Sequence, residues 1–311
     1  MRILVVGAGA TGGFFGGRLA QAGRDVTFLV RPGRAAVLRE RGLRIVGLGE
    51  QTVLEPKLVG AAELTAPFDL VVLTVKEAGL ASAIDDLAPA VGPETMVLPV
   101  LNGMRHVDAL VERFGERPVL GGVAKVAATI DANGDVARLA DLGSMTYGVR
   151  DWAPDRPLDE LHHTLSGVGF ATELSADITG EMWAKWVFIA SIAGVNSLAR
   201  GTIGEVVAEP GGVRFAEAVV AEGAAVADAA GYPLSETAAA IARGGVTAQG
   251  SVATASLYRD LTTGQRVEVE QIFGDLVARA NDLGVPVPLL ELVTLQLRVY
   301  QHRLDARPGG S

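Results

Sequence analysis

The sequence has no cysteine in its 311 residues. That excludes disulfides, thiolate nucleophiles and cysteine-based zinc or iron–sulfur sites, and it fits a cytoplasmic setting. Histidine is scarce. The four present are His106, the pair His162–His163, and His302. None is paired with carboxylates at a metal-ligand spacing, and adjacent histidines point different ways on a helix, so no metal site is expected. Positive charge is in deficit: 27 Lys and Arg against 36 Asp and Glu give a net charge of −9, which argues against a nucleic-acid partner. No uncharged apolar run reaches about 18 residues, so no membrane span is expected. A G-x-S-x-G nucleophile elbow is absent, which removes the α/β-hydrolase reading. What remains is 49% hydrophobic and 20% charged, enough for a large core, over a length that accommodates two domains.

The stretch from Ile3 to Gly17 is uncharged and contains "AGA", superficially like a signal peptide. Its six glycines make a poor helical segment, and another reading explains them better. "RILVV" (2–6) has strand length, glycines follow at once, and "FFGGRLAQAG" has helix length. "DVTFLV" (25–30), "DLVVLTV" (69–75) and "TMVLPV" (95–100) are further buried strands, the last two separated by the helical "EAGLASAIDDLAPAV". Such alternation predicts βαβ units and a parallel sheet covered on both faces. From about residue 119 the runs are β-type around an Asn-Gly turn at 133–134, which suggests antiparallel strands. "WAPDRP" (152–157) reads as loop and "RPGGS" (307–311) as a frayed tail. From about 175 the pattern is helical: 181–199, 212–230, 234–243, 251–261, 265–283 and 288–303. The fold class expected is α/β, an N-terminal Rossmann-type doubly wound domain (1–172) followed by an all-α C-terminal domain (173–311).

"VVGAGATGG" places Gly7, Gly9 and Gly12 in the G-x-G-x-x-G spacing, after a predicted strand and at the start of a predicted helix. In that context Gly7 allows a tight turn and Gly9 lets the backbone approach a pyrophosphate. Gly12 lets helix and strand pack closely, and the intervening Ala8, Ala10 and Thr11 complete the loop. A cofactor with a free ribose 2′-hydroxyl calls for Asp or Glu at the end of the second strand. Arg31 stands there, with Arg34 close behind. A guanidinium grips a 2′-phosphate, so NADP(H) is expected. Lys76 in "LTVKEAG" and Asn102 in "LPVLNGM" follow later strands, on the edge where open α/β sheets bind ligands. Both are expected to contact the cofactor, and Asn102 the substrate as well, although either type is also an ordinary turn residue. In "EMWAKWVFIASIAGVNSLARG" Lys185 stands between two tryptophans at the edge of the most apolar helix. It either snorkels to water or points into a cleft to handle a proton or an anion.

With these residues in hand, the chain resembles the ketopantoate reductase (2-dehydropantoate 2-reductase) family along almost its whole length. The glycine turn, Arg31, Lys76 and "NGM" at 102–104 are similar to the family's N-terminal motifs. "WAKWVF" places Lys185 at the family's catalytic lysine. "SLYRDLTTGQRVEVEQIFG" matches a pattern of serine, aspartate, then Gly-x-x-x-Glu, which assigns Ser256 to substrate binding and Glu268 to the active site. The resemblance implies NADPH-dependent reduction of a 2-oxo acid and a place in pantothenate biosynthesis. It also implies a cleft between the two domains, with Lys185 as proton donor. Glu268, read beside the core stripe Val269, Phe273, Leu276, Ala280 and Leu283, would orient Lys185 or hold hydroxyl groups. A monomer or homodimer is expected.

The chain departs from the family at two substrate positions. The family's asparagines four and eight residues after the lysine are here Ile189 and Ala193, on the same helix face. Asn196 lies roughly 16 Å along the axis from Lys185, too far to substitute for them. Phe273, not asparagine, precedes Gly274. The expected substrate is therefore ketopantoate or a more apolar 2-oxo acid. An imine-reducing, opine-type dehydrogenase and a non-catalytic NADP(H)-binding regulator are the alternatives.

Overall fold

The computed structural model describes residues 1–306 apart from Trp152, Pro154 and Asp155; part of the expected loop 152–157 and the tail 307–311 lie outside the described residues. The chain divides into two compact units, 1–101 with 106–178, and 102–105 with 179 onward. A division at 172–173 would cut a strand, Ala171–Leu174.

In the first unit the short branched-apolar runs become the strands of a parallel sheet. They are β1 (Arg2–Val6), β2 (Asp25–Leu29), β5 (Lys57–Val59), β6 (Leu70–Leu73) and β7 (Met96–Pro99), in the order β5-β2-β1-β6-β7. Every residue of β6 and β7 is buried, as a sheet covered on both faces requires. A second, mixed sheet holds β3 (Leu43–Gly47), β4 (Glu50–Leu54), β8 (Gly121–Ile130), β9 (Val136–Gly148) and β10 (Ala171–Leu174). The expected antiparallel pair is β8 with β9. The Asp131 carboxylate shapes the turn between them by accepting the backbone N–H groups of Asn133 (2.9 Å) and Asp135 (2.8 Å).

The helix Ala10–Gln21 projects Arg18 toward the second sheet, where Arg18 and Arg138 both pair with Glu50, at 2.5 and 3.0 Å. The Arg18 hydrogen bonds, with those of Thr52 and Arg138, hold the Glu50 carboxyl down at about 2 against an ordinary 4.5. A folded-state pKa below the unfolded one means the network's stabilisation is complete above about pH 4.5 and is lost as pH falls toward 2. The largest contribution this shift allows is about 3 kcal/mol. We expect the urea midpoint of the wild type to fall more steeply over that range than that of Glu50→Gln. Parallel pH profiles would remove Glu50 from this role.

The second unit is built from the helices Ile178–Ala199, Ile203–Ala208, Gly212–Ala229, Glu236–Thr247, Ser256–Thr262, Asp275–Asp282 and Pro288–Asp305. Its helix starts use recognisable devices. Thr202 and Glu205 form a reciprocal capping box, Ser235 caps Ala238 N–H, and Pro288 occupies a first-turn position. Ile178–Ala199 is long and apolar enough to cross a membrane by length and composition, even with Glu181 and Lys185 in it; 61% of its most apolar window is buried within the protein. The helix expected over 251–261 begins only at Ser256, and the one expected over 265–283 only after Glu268. Its first turn, Glu270–Gly274, is a π-turn in which Asp275 N–H donates to the Glu270 carbonyl five residues back. Of the predicted stripe, Val269, Phe273, Leu276 and Ala280 are buried, but Leu283 is 43% exposed because it sits at the C-terminal cap.

Candidate active site

At the C-terminal end of β1 the chain turns at Gly7, whose φ of +92° is open to glycine and strained for other residues. Gly7 N–H donates to the Leu29 carbonyl at 3.0 Å, tying the turn to β2. The Thr74 hydroxyl lies 2.9 Å from the carbonyls of both Val6 and Gly7 and shares its proton between them. A Cβ at Gly12 would land on the Gly7 carbonyl and this hydroxyl, so only glycine permits the close approach. Above Gly9 the space is open for 4 Å. The helix that starts at Ala10 has no side-chain cap and no acid in its first turn. Ala8 is buried, Ala10 and Thr11 are half-buried and Gly9 is exposed, so the anion-seeking N–H groups of the helix start lie beside open space at Gly9. The turn thus fits a pyrophosphate.

The ends of β1, β2 and β6 are aligned, with Val6 opposite both Leu29 and Leu73. Arg31 follows β2, is exposed, and donates to the Ser82 hydroxyl at 2.7 Å. Arg34 is tied to the glycine turn itself: Nε donates to the Ala8 carbonyl (2.8 Å) and Nη1 to that of Gly134 (2.6 Å). Burial pulls the Arg34 guanidinium below its usual value, and Asp135 opposes this. Lys76, also exposed, precedes a short 3-10 turn on the same edge. Sequence reasoning missed the parts played by Thr74 and Arg34; the signal for Thr74 was a lone hydroxyl ending a branched-apolar strand.

In the helical unit, Lys185 and Ile189 are half-buried on the long helix, whereas Ala193 is 1% exposed. Of the two positions where the family has asparagine, packing therefore encloses Ala193 and leaves Ile189 partly open. Trp186, 1% exposed, donates its indole N–H to the Ile272 carbonyl at 2.8 Å. That carbonyl belongs to the π-turn, whose wider winding suits it to meet a side chain. Glu268 is half-buried immediately before this turn, its own carbonyl accepting Ile272 N–H at 3.2 Å. Gln271, fully buried in the same turn, donates to the Asn102 carbonyl at 2.7 Å. At Gly103 a side chain would strike the Gln271 carbonyl. Ser256 is exposed as the first residue of its helix. Hydrogen bonds therefore join the Lys185 helix to the Glu268 turn, and that turn to Asn102. Among the described residues no group of three or more His, Asp or Glu is arranged to hold a metal ion.

Residues 3–152 match the family model described as "Ketopantoate reductase PanE/ApbA", and residues 177–301 match "Ketopantoate reductase PanE/ApbA C terminal". The chain belongs to the ketopantoate reductase family. It is an oxidoreductase of the 2-dehydropantoate 2-reductase type. It is 32% identical to the "Uncharacterized oxidoreductase YkpB" of Bacillus subtilis (strain 168), over 97% of this chain and 99% of that protein. Its identity to the 2-dehydropantoate 2-reductase of Halobacterium salinarum is 33%, again over 97% and 99%. Its fold is that of a D-mandelate dehydrogenase solved with NADH and anilino(oxo)acetate, with a TM-score of 0.87 at 22% identity, covering 98% of this chain and 100% of that one. The ketopantoate reductase fold accounts for the α/β first unit and the helical second one.

Proposed function

We propose that this ketopantoate reductase family member reduces a 2-oxo acid carrying a branched or aromatic apolar group to the 2-hydroxy acid, with NADPH as reductant. The observation that carries this reading is the joining of the Lys185 helix to the Glu268 turn through Trp186. A bound nicotinamide would supply the hydride. Gly7, Gly9 and Gly12, with Ala8, Ala10 and Thr11, present backbone N–H groups to the pyrophosphate. Arg31 takes the 2′-phosphate, and Lys76 and Asn102 complete the cofactor contacts. Lys185 Nζ holds a proton beside the substrate carbonyl oxygen, neutralises the charge that builds there and delivers the proton. Ser256 and Asn102 hold the oxo-acid core, and Glu268 orients Lys185 or holds the cofactor's ribose hydroxyls. Ile189 offers an apolar surface where the family has asparagine. The arylamino oxo acid bound to the D-mandelate dehydrogenase shows that this fold takes an aromatic oxo acid in that relative.

The test is NADPH oxidation across ketopantoate, 2-oxoisovalerate and phenylglyoxylate, each with and without an amine. Turnover that requires the amine would replace ketone reduction by imine reduction, and no turnover of any oxo acid would overturn the reading. For the cofactor, a bidentate charged contact is worth roughly 1.5–3 kcal/mol, about ten- to a hundredfold. NADPH is therefore expected to bind more tightly than NADH, and Arg31→Ala to remove that preference. Equal affinities in the wild type would remove the 2′-phosphate from Arg31.

A further inference from the structure

The long helix carries a second polar residue well beyond Lys185. Asn196 is fully buried, and each end of its amide meets main chain. Nδ2 donates to the Gly201 carbonyl at 2.8 Å and lies 3.5 Å from that of Ala253; Oδ1 accepts Ala255 N–H at 2.9 Å. The segment 251–255 is held alongside by two backbone bonds, Ile203 N–H to the Ala253 carbonyl (3.2 Å) and Gly204 N–H to that of Ser251 (2.7 Å). A Cβ at Gly204 would stand 2.6 Å from Ser251 N, so this strap lies against bare backbone. Directly after it, the Ala255 carbonyl receives Arg259 N–H at 3.1 Å and starts the helix whose first residue is the exposed Ser256.

These contacts explain why the apolar helix retains a buried amide: it keeps 251–255 extended, where sequence periodicity expects helix. We propose that Asn196 is a positioning residue that fixes the Ser256 hydroxyl relative to the Lys185 helix and so sets the affinity for the oxo acid. The role depends on Ser256 touching the substrate, as proposed above. It also gives Asn196 a function at a distance that direct contact with the substrate near Lys185 would not allow.

The test is steady-state kinetics with 2-oxoisovalerate and phenylglyoxylate on Asn196→Leu, Ser256→Ala and the double variant. Leucine keeps the branched outline of the amide, adds some volume, and removes both hydrogen bonds. Ala255→Pro removes the Oδ1 contact from its other end at a φ of −67° that proline adopts, which gives a second variant with the core side chain unchanged. Asn196→Leu and Ala255→Pro are expected to raise KM about tenfold or more, with kcat within about twofold and NADPH affinity unchanged. The double variant should have a KM no higher than that of Ser256→Ala, because both changes act through one hydroxyl. A merely structural role would lower the melting temperature and the active fraction and leave KM alone. If Ser256→Ala leaves KM at the wild-type value, the Ser256 reading fails and the positioning role with it. A Ser256 effect combined with wild-type KM in folded Asn196→Leu or Ala255→Pro, or with effects that multiply in the double variant, overturns the positioning role alone.

Discussion

Lys185→Ala is expected to lower kcat on the preferred 2-oxo acid by ~10²–10⁴ while leaving NADPH affinity nearly intact. Lys185 is half-buried on a core helix, and Trp186 beside it is locked in place. The Trp183 and Trp186 rings lie 5.0 Å apart, and Trp183 stacks on Tyr232 at 6.1 Å. A lysine on so rigid a wall delivers its charge to one place, which is what transition-state stabilisation requires. Lys185→Met separates chemistry from packing, since it keeps the aliphatic stem and removes the charge. Both variants should lose turnover alike, measured by NADPH oxidation, with cofactor binding followed by fluorescence. Wild-type turnover in either would return Lys185 to the solvated anchor that its position at the edge of an apolar run also permits.

The second large effect concerns ketopantoate itself. Its hydroxymethyl group would meet Ile189, which gives no hydrogen bond, and a polar group buried without a partner costs roughly 1–3 kcal/mol. We expect kcat/KM for ketopantoate to be roughly ten- to a hundredfold below that for 2-oxoisovalerate or phenylglyoxylate, and Ile189→Asn to narrow the gap. Ala193→Asn should not help. At 1% exposure the new amide has packed protein around it, and the expected result is a lower melting temperature with no gain in ketopantoate turnover. Ketopantoate turnover by the wild type equal to that of the apolar acids would mean that other residues supply the contact.

The first strand, its glycine turn and the following helix were legible because one short stretch carries both a burial pattern and a turn constraint. The long helix was legible because its apolar run has no competing period. The β3–β4 hairpin and β10 were not read, because their residues are only partly buried and their apolar pattern is broken. The π-turn was invisible for a different reason: it changes winding over a single turn, too short to shift a period. The residues that hold the site, Thr74, Arg34, Asn196 and Gln271, gave little signal because each has a main-chain partner remote in sequence. Gln271 reaches a carbonyl 169 residues away, which no local pattern encodes. Motif residues could be placed from sequence; the residues that support them could not.

The long apolar helix also has a history within each round of synthesis. Neighbours that cover its middle come later in the chain: Gly223 packs on Val187, and Val219, Phe273 and Val293 close around Gly194. At ~5–20 residues per second, roughly 5–20 s separate the emergence of Gly194 from that of Val293. During that interval the nascent polypeptide displays a segment as apolar as a membrane span, with its cover still untranslated. Chains ended between the long helix and the last one should therefore aggregate or be retained by chaperones, and slow translation after the long helix should lower the yield of full-length protein.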